Sequence, residues 1–199
     1  MALGFSAPRP AGSLVRTMFD LIREDFEVYG RRLSRQGLWV MAVYRFGRWG
    51  SRVQPAIVRG FLSVVYSGLK VLSQVLTGID LPREASVGRR FKIEHFGGVV
   101  ISPDAVLGDD VIVRHGVIID LRRTGERGAP VIGSRVDIGP GARILGPIAI
   151  GDDVMIGANA VVIRDVPSNS IAVGIPARVR PRAQSFEEVA AVSYGYGHG

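Results

Sequence analysis

The sequence has no cysteine, which excludes disulfides, thiolate nucleophiles and cysteine metal ligands and suits a reducing, cytoplasmic setting. Aromatic residues make up only 8% of the chain, against 26 glycines and a hydrophobic share of 47%. A broad core built on rings is therefore not expected; a slim coil with a narrow aliphatic interior is. The stretch from Met1 to Ser13 lacks a charged region followed by an apolar run, so no secretory signal is expected. The net charge is +7, but the basic residues are dispersed and no nucleic-acid-binding signature is present. That charge fits a solvated basic surface, an anionic membrane or a phosphate-bearing ligand better than nucleic acid.

Three histidines and a change of period carry the rest of the reading. Up to residue 79 the pattern is helical. Leu14, Met18, Leu21, Ile22 and Phe26 recur at three- and four-residue spacing, a second stretch runs from Gly37 to Val53, and a third starts after Pro55 and reaches Gly78. The third is strongly apolar, with Phe61, Leu62, Val64, Val65, Leu69, Val71, Leu72 and Val75, and is interrupted by Arg59 and Lys70. The uncharged run between those two is too short to span a bilayer. Packing against other helices or a neighbouring subunit is expected of it, and peripheral membrane contact is the alternative.

From residue 80 to 180 the period becomes six. Ile132, Ile138, Ile144, Ile150, Ile156 and Val162 stand in register, as do Ile101, Leu107, Val113 and Ile119, and Leu81, Val87 and Ile93. Glycine follows at Gly133, Gly139, Gly151 and Gly157, and Val136, Ile148, Val154 and Val166 mark a second inward position. Neither a helix nor a simple strand has this period. A hexapeptide repeat does: each repeat is a short strand and a turn, three make a triangular coil, and stacked coils bury one another. The expected architecture is mainly β, a left-handed parallel β-helix over 80–180, behind an N-terminal α-helical region over 1–79 and before a tail over 181–199.

Two interruptions break the lattice. The step from Ile93 to Ile101 is eight, so two extra residues lie near Phe96-Gly97-Gly98; the step from Ile119 to Ile132 is thirteen and leaves a polar loop with Arg122, Arg123 and Arg127. Loops on a rigid scaffold are where binding groups are usually placed. His95 stands two positions after Ile93 and His115 two after Val113. Those lattice residues are one coil plus the insertion apart, so the two imidazoles should stack on adjacent strands, about 4.8 Å apart. His198 falls in the Gly/Tyr tail. A neutral imidazole can take a proton from an attacking hydroxyl. Asp80 and Glu94 are carboxylates that could orient it, and backbone N–H groups near Gly97, Gly98 or Gly116 could hold an oxyanion.

Several segments together resemble serine O-acetyltransferases. They are Gly78-Ile79-Asp80-Leu81, Ile93-Glu94-His95-Phe96-Gly97-Gly98, Gly139-Pro140-Gly141-Ala142-Arg143-Ile144-Leu145-Gly146, Ile156-Gly157-Ala158-Asn159-Ala160 and Val173-Gly174-Ile175-Pro176-Ala177-Arg178. The helical stretch Ala42-Val43-Tyr44-Arg45-Phe46-Gly47-Arg48-Trp49 looks like the family's last helical segment, so the resemblance covers about 37–180. It implies an acetyl-CoA-dependent O-acetyltransferase with no metal, and a homotrimer or dimer of trimers with acetyl-CoA between neighbouring coils. It also implies His95 as general base with Asp80 orienting it, and Glu94 toward the acceptor; His115, by its shared phase with His95, and Arg127, in the polar loop, are the further acceptor-side candidates. Gly141, Ala158, Arg164 and Arg178 fall toward the CoA arm and its phosphates, for which a guanidinium is well suited.

The sequence departs from that family at the acceptor end. Where the family carries an Arg-His-Pro-Lys-Ile-like segment, this chain reads Glu126-Arg127-Gly128-Ala129-Pro130-Val131-Ile132, and Asp120-Leu121 replaces a Gly-Gly. A sugar or polysaccharide hydroxyl therefore stands beside serine as the acceptor, with the enzyme cytoplasmic or at the inner membrane surface. Two readings of other kinds remain: a zinc carbonic anhydrase, for which His95 and His115 supply too few ligands, and a trimeric scaffold without catalysis.

Overall fold

The computed structural model describes residues 18–95, 97–123, 125 and 128–182. Leu14 and Arg127, together with the tail beyond Arg182, lie outside the described residues. Three helices come first: α1 (Met18–Val28), α2 (Gln36–Gly50) and α3 (Ala56–Thr77). The last ends on Gly78 in the left-handed conformation, and the first strand starts one residue later, at Ile79. Glycine takes that turn without a Cβ penalty.

The six-residue lattice folds as a parallel β-helix with three faces. The first face stacks Ile79–Asp80, Val99–Ile101, Ile118–Asp120, Arg143–Leu145 and Val161–Val162. The second stacks Ser86–Val87, Val106–Leu107, Val131–Ile132 and Ala149–Ile150. The third stacks Lys92–Glu94, Ile112–Arg114, Asp137–Ile138, Met155–Ile156 and Ser170–Val173, and is closed by the antiparallel strand Arg178–Pro181. Every lattice aliphatic named above is buried, as are the second inward positions Val136, Ile148, Val154 and Val166. The chain alternates one residue inward and its neighbours outward. Six residues per face and corner therefore place one aliphatic in the interior of each coil face.

The helices cap the first coil through three tyrosines. The Tyr29, Tyr44 and Tyr66 hydroxyls accept hydrogen bonds from the backbone N–H groups of Ile93 (2.8 Å), Val87 (3.0 Å) and Arg83 (2.9 Å). Tyr44 also donates to the Ala85 carbonyl at 2.8 Å. Arg45, buried on α2, pairs with buried Asp25 of α1 at 3.0 Å and donates to the carbonyls of Val87 and Gly88. Burial pushes the Asp25 carboxyl up, and Arg45 opposes that shift. Close backbone contact completes the docking: a Cβ at Gly37 would lie 2.7 Å from the Ile93 carbonyl oxygen.

Candidate active site

The β-helix has three corners, and the sequence equips each differently. Where the second face turns into the third, charges alternate from coil to coil. Arg90 pairs with Asp110, and Arg135 with Asp153 at 2.7 Å. Beside them Asp109, Ser134, Asp152 and Ser168 accept backbone N–H bonds from the coil before. At this corner the polar groups are satisfied internally. Where the first face turns into the second lies the loop that follows Asp120. Arg122 folds back there and donates to the Ile163 carbonyl at 3.0 Å.

The third corner, between the third face and the first, holds both histidines. His95 follows Lys92–Glu94 and His115 follows Ile112–Arg114, and the register pairs Ile93 with Val113 and Glu94 with Arg114. The ring centroids are 6.0 Å apart in an edge-to-face arrangement, and both residues are exposed. Neither imidazole has a hydrogen-bond partner among the described residues. The two-residue insertion falls here, and His95 itself takes a positive φ of 63°. Beside the histidines the backbone is bare: Gly98, Gly116 and Gly141 stack with φ of 67°, 72° and 71°. A Cβ on Gly116 would lie 3.3 Å from the Gly141 Cα, and all three glycines hold a positive φ that disfavours a side chain; one coil further on Asn159 takes the same conformation and its amide oxygen lies over Gly141. The Gly116 N–H donates to the Gly97 carbonyl at 2.8 Å and is committed within the coil, which removes it as an oxyanion donor. The Gly98 N–H has no acceptor among the described residues.

The other expected site residues are distributed as follows. Asp80 lies on the first face with its carboxylate 3.1 Å from the Lys70 ammonium of α3, and it makes no hydrogen bond to His95. Glu94 is likewise engaged. Lys92 binds it at 2.7 Å and Arg114 approaches at 3.4 Å, while Arg114 also donates to Asp137. The Lys92 ammonium holds the Glu94 carboxyl below the usual carboxylate range. Glu94 thus belongs to an ion ladder on the third face rather than standing free for an acceptor. Ala158 is exposed one coil beyond Pro140 on the histidine corner, with Gly141 beside it. Arg178 opposes Val173 at the edge of the same face. Arg164 follows Val161–Val162 and therefore sits at the loop corner, away from the histidines of its own chain. Both arginines are exposed and lack an ion pair among the described residues. No three His, Cys, Asp or Glu side chains converge as a metal-ligand set among the described residues.

A cleft of about 660 Å³ opens against the histidine corner. One wall is Lys92, Ile93, Glu94 and His95; the other is the turn between α1 and α2 with Arg32, Ser34, Arg35, Gln36 and Gly37. No repeat position encodes this wall, so the sequence reading missed it. The only local signal was the basic run Arg31-Arg32-Leu33-Ser34-Arg35 between two helical stretches.

The fold and corner define the class first: the model for bacterial transferase hexapeptide repeats (six repeats) matches residues 129–164. A serine acetyltransferase of Helicobacter pylori is 46% identical over 130 residues, covering 64% of this chain and 75% of that protein. One of Mycobacterium tuberculosis is 39% identical over 137 residues, and the match spans 68% of this chain but 60% of that longer protein. An Escherichia coli protein whose name places it, as an acetyltransferase, in colanic acid biosynthesis is 40% identical over 111 residues, covering 56% of this chain and 68% of that one. Among solved structures, the serine acetyltransferase of Neisseria gonorrhoeae superposes with a TM-score of 0.69 at 27% identity, over 82% of this chain and 65% of that one. The Brucella abortus serine acetyltransferase in complex with coenzyme A gives 0.68 at 26%, over 81% and 66%. The chain belongs to the serine acetyltransferase family.

Proposed function

We propose that the protein is an acetyl-CoA-dependent O-acetyltransferase with His95 as its general base. The observation that carries this reading is the corner itself: an exposed imidazole without a hydrogen-bond partner among the described residues, beside a strip of glycine backbone and lining a cleft. Acetyl-CoA supplies an activated acetyl thioester. The strip of glycine backbone along Gly98 and Gly116, up to the Asn159 amide that lies over Gly141, suits an extended pantetheine arm, with exposed Ala158 further along and Arg178 without an ion pair among the described residues. At the His95 end the imidazole takes the proton of the acceptor hydroxyl. The hydroxyl oxygen then forms a bond to the acetyl carbonyl carbon and the C–S bond breaks. The imidazolium returns its proton to the departing thiolate. The Gly98 N–H, with no acceptor among the described residues, is the backbone donor this reading assigns to the carbonyl oxygen.

Serine is the acceptor that relatives of this family are named for, and the colanic acid relative supports a sugar hydroxyl as the second reading. The working unit is a homotrimer: Arg164, at the loop corner, reaches a CoA phosphate only across to the histidine corner of a neighbouring copy. The exposed apolar side of α3 supports a place at the cytoplasmic membrane surface, since Ile57 and Val75 are 87% and 78% exposed on a 22-residue helix that holds an 18-residue stretch of mean hydropathy 1.4. Sedimentation with lipid vesicles checks that placement; protein left wholly in the supernatant removes it.

His95→Ala is expected to slow acetyl transfer by about 10² to 10⁴-fold, the usual range for a positioned acid–base group, with acetyl-CoA binding unchanged. Full activity in that variant would sink the mechanism.

A further inference from the structure

The charge inside the cleft narrows the acceptor. Its walls carry Arg32, Arg35 and Lys92 against a single carboxylate, Glu94. Lys92 and Glu94 are paired with each other, and Arg114 approaches Glu94 from the next coil. The charges of Lys92 and Glu94 cancel, and Arg114 is matched by Asp137. The Arg32 and Arg35 side chains have no hydrogen bond or ion pair among the described residues, and both residues are exposed. Arg89, Arg90, Arg114 and Arg135 on the coil and Arg45 on α2 each face a carboxylate, whereas Arg32 and Arg35, like Arg164 and Arg178, do not among the described residues. Two unpaired guanidiniums on one wall and a candidate base on the other leave the cleft with an uncompensated positive field. A guanidinium fork matches carboxylate and phosphate oxygens.

The position of this wall is set by tight packing. The Tyr29 hydroxyl, just before the turn, accepts the Ile93 N–H at 2.8 Å, and Gly37, just after it, leaves no room for a Cβ against the Ile93 carbonyl. Ile93 is two residues before His95, so the arginine wall and the base are tied to the same strand. The volume also bears on the ligand. About 660 Å³ in a groove half open to solvent leaves room for a ligand larger than a free amino acid. An ammonium group would meet two free cations there and no free carboxylate among the described residues.

Resting on the acetyltransferase reading above, we propose that the acceptor is a hydroxyl-bearing organic anion of sugar size, a sugar acid or sugar phosphate, whose carboxylate or phosphate is held by Arg32 and Arg35 while a ring hydroxyl faces His95. The two arginines are specificity-determining groups and take no part in proton transfer.

The test uses the full-length chain and four probes: glucuronate, glucose 6-phosphate, glucose and L-serine. Binding is measured by calorimetry, and acetyl transfer is followed as CoA release in parallel. Glucuronate, glucose 6-phosphate or both should bind at least tenfold more tightly than glucose, and added salt should weaken them. The double variant R32A/R35A should lose that tenfold preference while keeping its acetyl-CoA affinity and its melting temperature. Preference for the carboxylate over the phosphate, or the reverse, identifies which anion the wall is built for. Equal or tighter binding of glucose or serine, binding of neither anion at millimolar concentration, or an unchanged preference in R32A/R35A overturns the proposal. If the anions bind through the two arginines but none of the four probes accepts acetyl from acetyl-CoA, the cleft assignment stands and the acetyltransferase reading is the one that fails.

Discussion

Two corners of the same β-helix, built from the same repeat, have opposite chemical character. At the corner between the second and third faces, Arg90 meets Asp110 and Arg135 meets Asp153, and each turn receives a side-chain cap from the next coil. At the corner between the third and first faces, two imidazoles stand without hydrogen-bond partners among the described residues, beside glycines whose positive φ disfavours a side chain. The first corner spends its polar groups on the stack. The second leaves them available to a ligand. In a solenoid each coil is bonded above and below, so one corner can be stripped of internal partners without losing the fold.

The largest effect expected from breaking this contrast is at Gly133, on the charged corner. A Cβ there would lie 2.8 Å from the Gly151 carbonyl carbon, which is backbone and cannot step aside. Gly133→Ala should cost about 1–3 kcal/mol of stability, read from denaturant unfolding, as forced overpacking does. An unchanged midpoint would mean that the coils are less tightly stacked than described.

Next comes His115→Ala on the other corner. Its ring lies edge-on to His95, so turnover or acceptor preference should change by roughly tenfold, less than the range for the general base itself. Stability should stay within about 0.5 kcal/mol, as for other surface changes. Unchanged kinetics would make the shared phase of the two histidines incidental.

A smaller response is expected from Asp153→Ala. The pair with Arg135 is solvent-exposed on the arginine side, and such pairs are worth about 0–1 kcal/mol. The kcat/KM for transfer should not move, because the charged corner is not the reacting one. A tenfold loss of activity would erase the distinction between the corners.

The smallest effect is the pH response of that same ladder. Arg90 holds the Asp110 carboxyl, and Arg135 that of Asp153, below the usual carboxylate range. A carboxyl depressed in the folded state adds stability above its unfolded value, about 3.9 for aspartate, and loses it as pH falls through the folded value. Stability should therefore decline below about pH 4, and Arg135→Ala should flatten that decline. An identical acid limb in the variant would show that the ladder contributes nothing measurable.

Much of the architecture was legible in advance, since each lattice position, from Leu81 to Val162, is a local statement about which residue points inward. The shared phase of His95 and His115 followed from the same count, because the insertion adds two residues and nothing else to the coil between them. The partners of individual charges were not legible. Asp80 was expected to orient His95 but pairs with Lys70, a helical residue ten positions earlier that α3 brings alongside the first strand. Glu94 was expected at the acceptor but is held by Lys92, two residues away on the same outward side of its strand, and by Arg114 from the next coil. Arg164 was grouped with Ala158 and Arg178, yet it follows the first face whereas they lie along the third, and a count of repeats shows corner identity only once the faces are assigned.

By itself, the sequence determined the repeat, the buried aliphatic set, the stacked histidines and the family, because all of these depend on spacing along the chain. Only the tertiary structure decided which charges are spent on neighbours and which remain free, and it alone produced the cleft. That cleft joins residues near position 35 to residues near position 95 through the Tyr29 hydroxyl and the close approach at Gly37. Such contacts depend on how an amphipathic cap docks on the end of a coil, a packing choice that no local periodicity encodes.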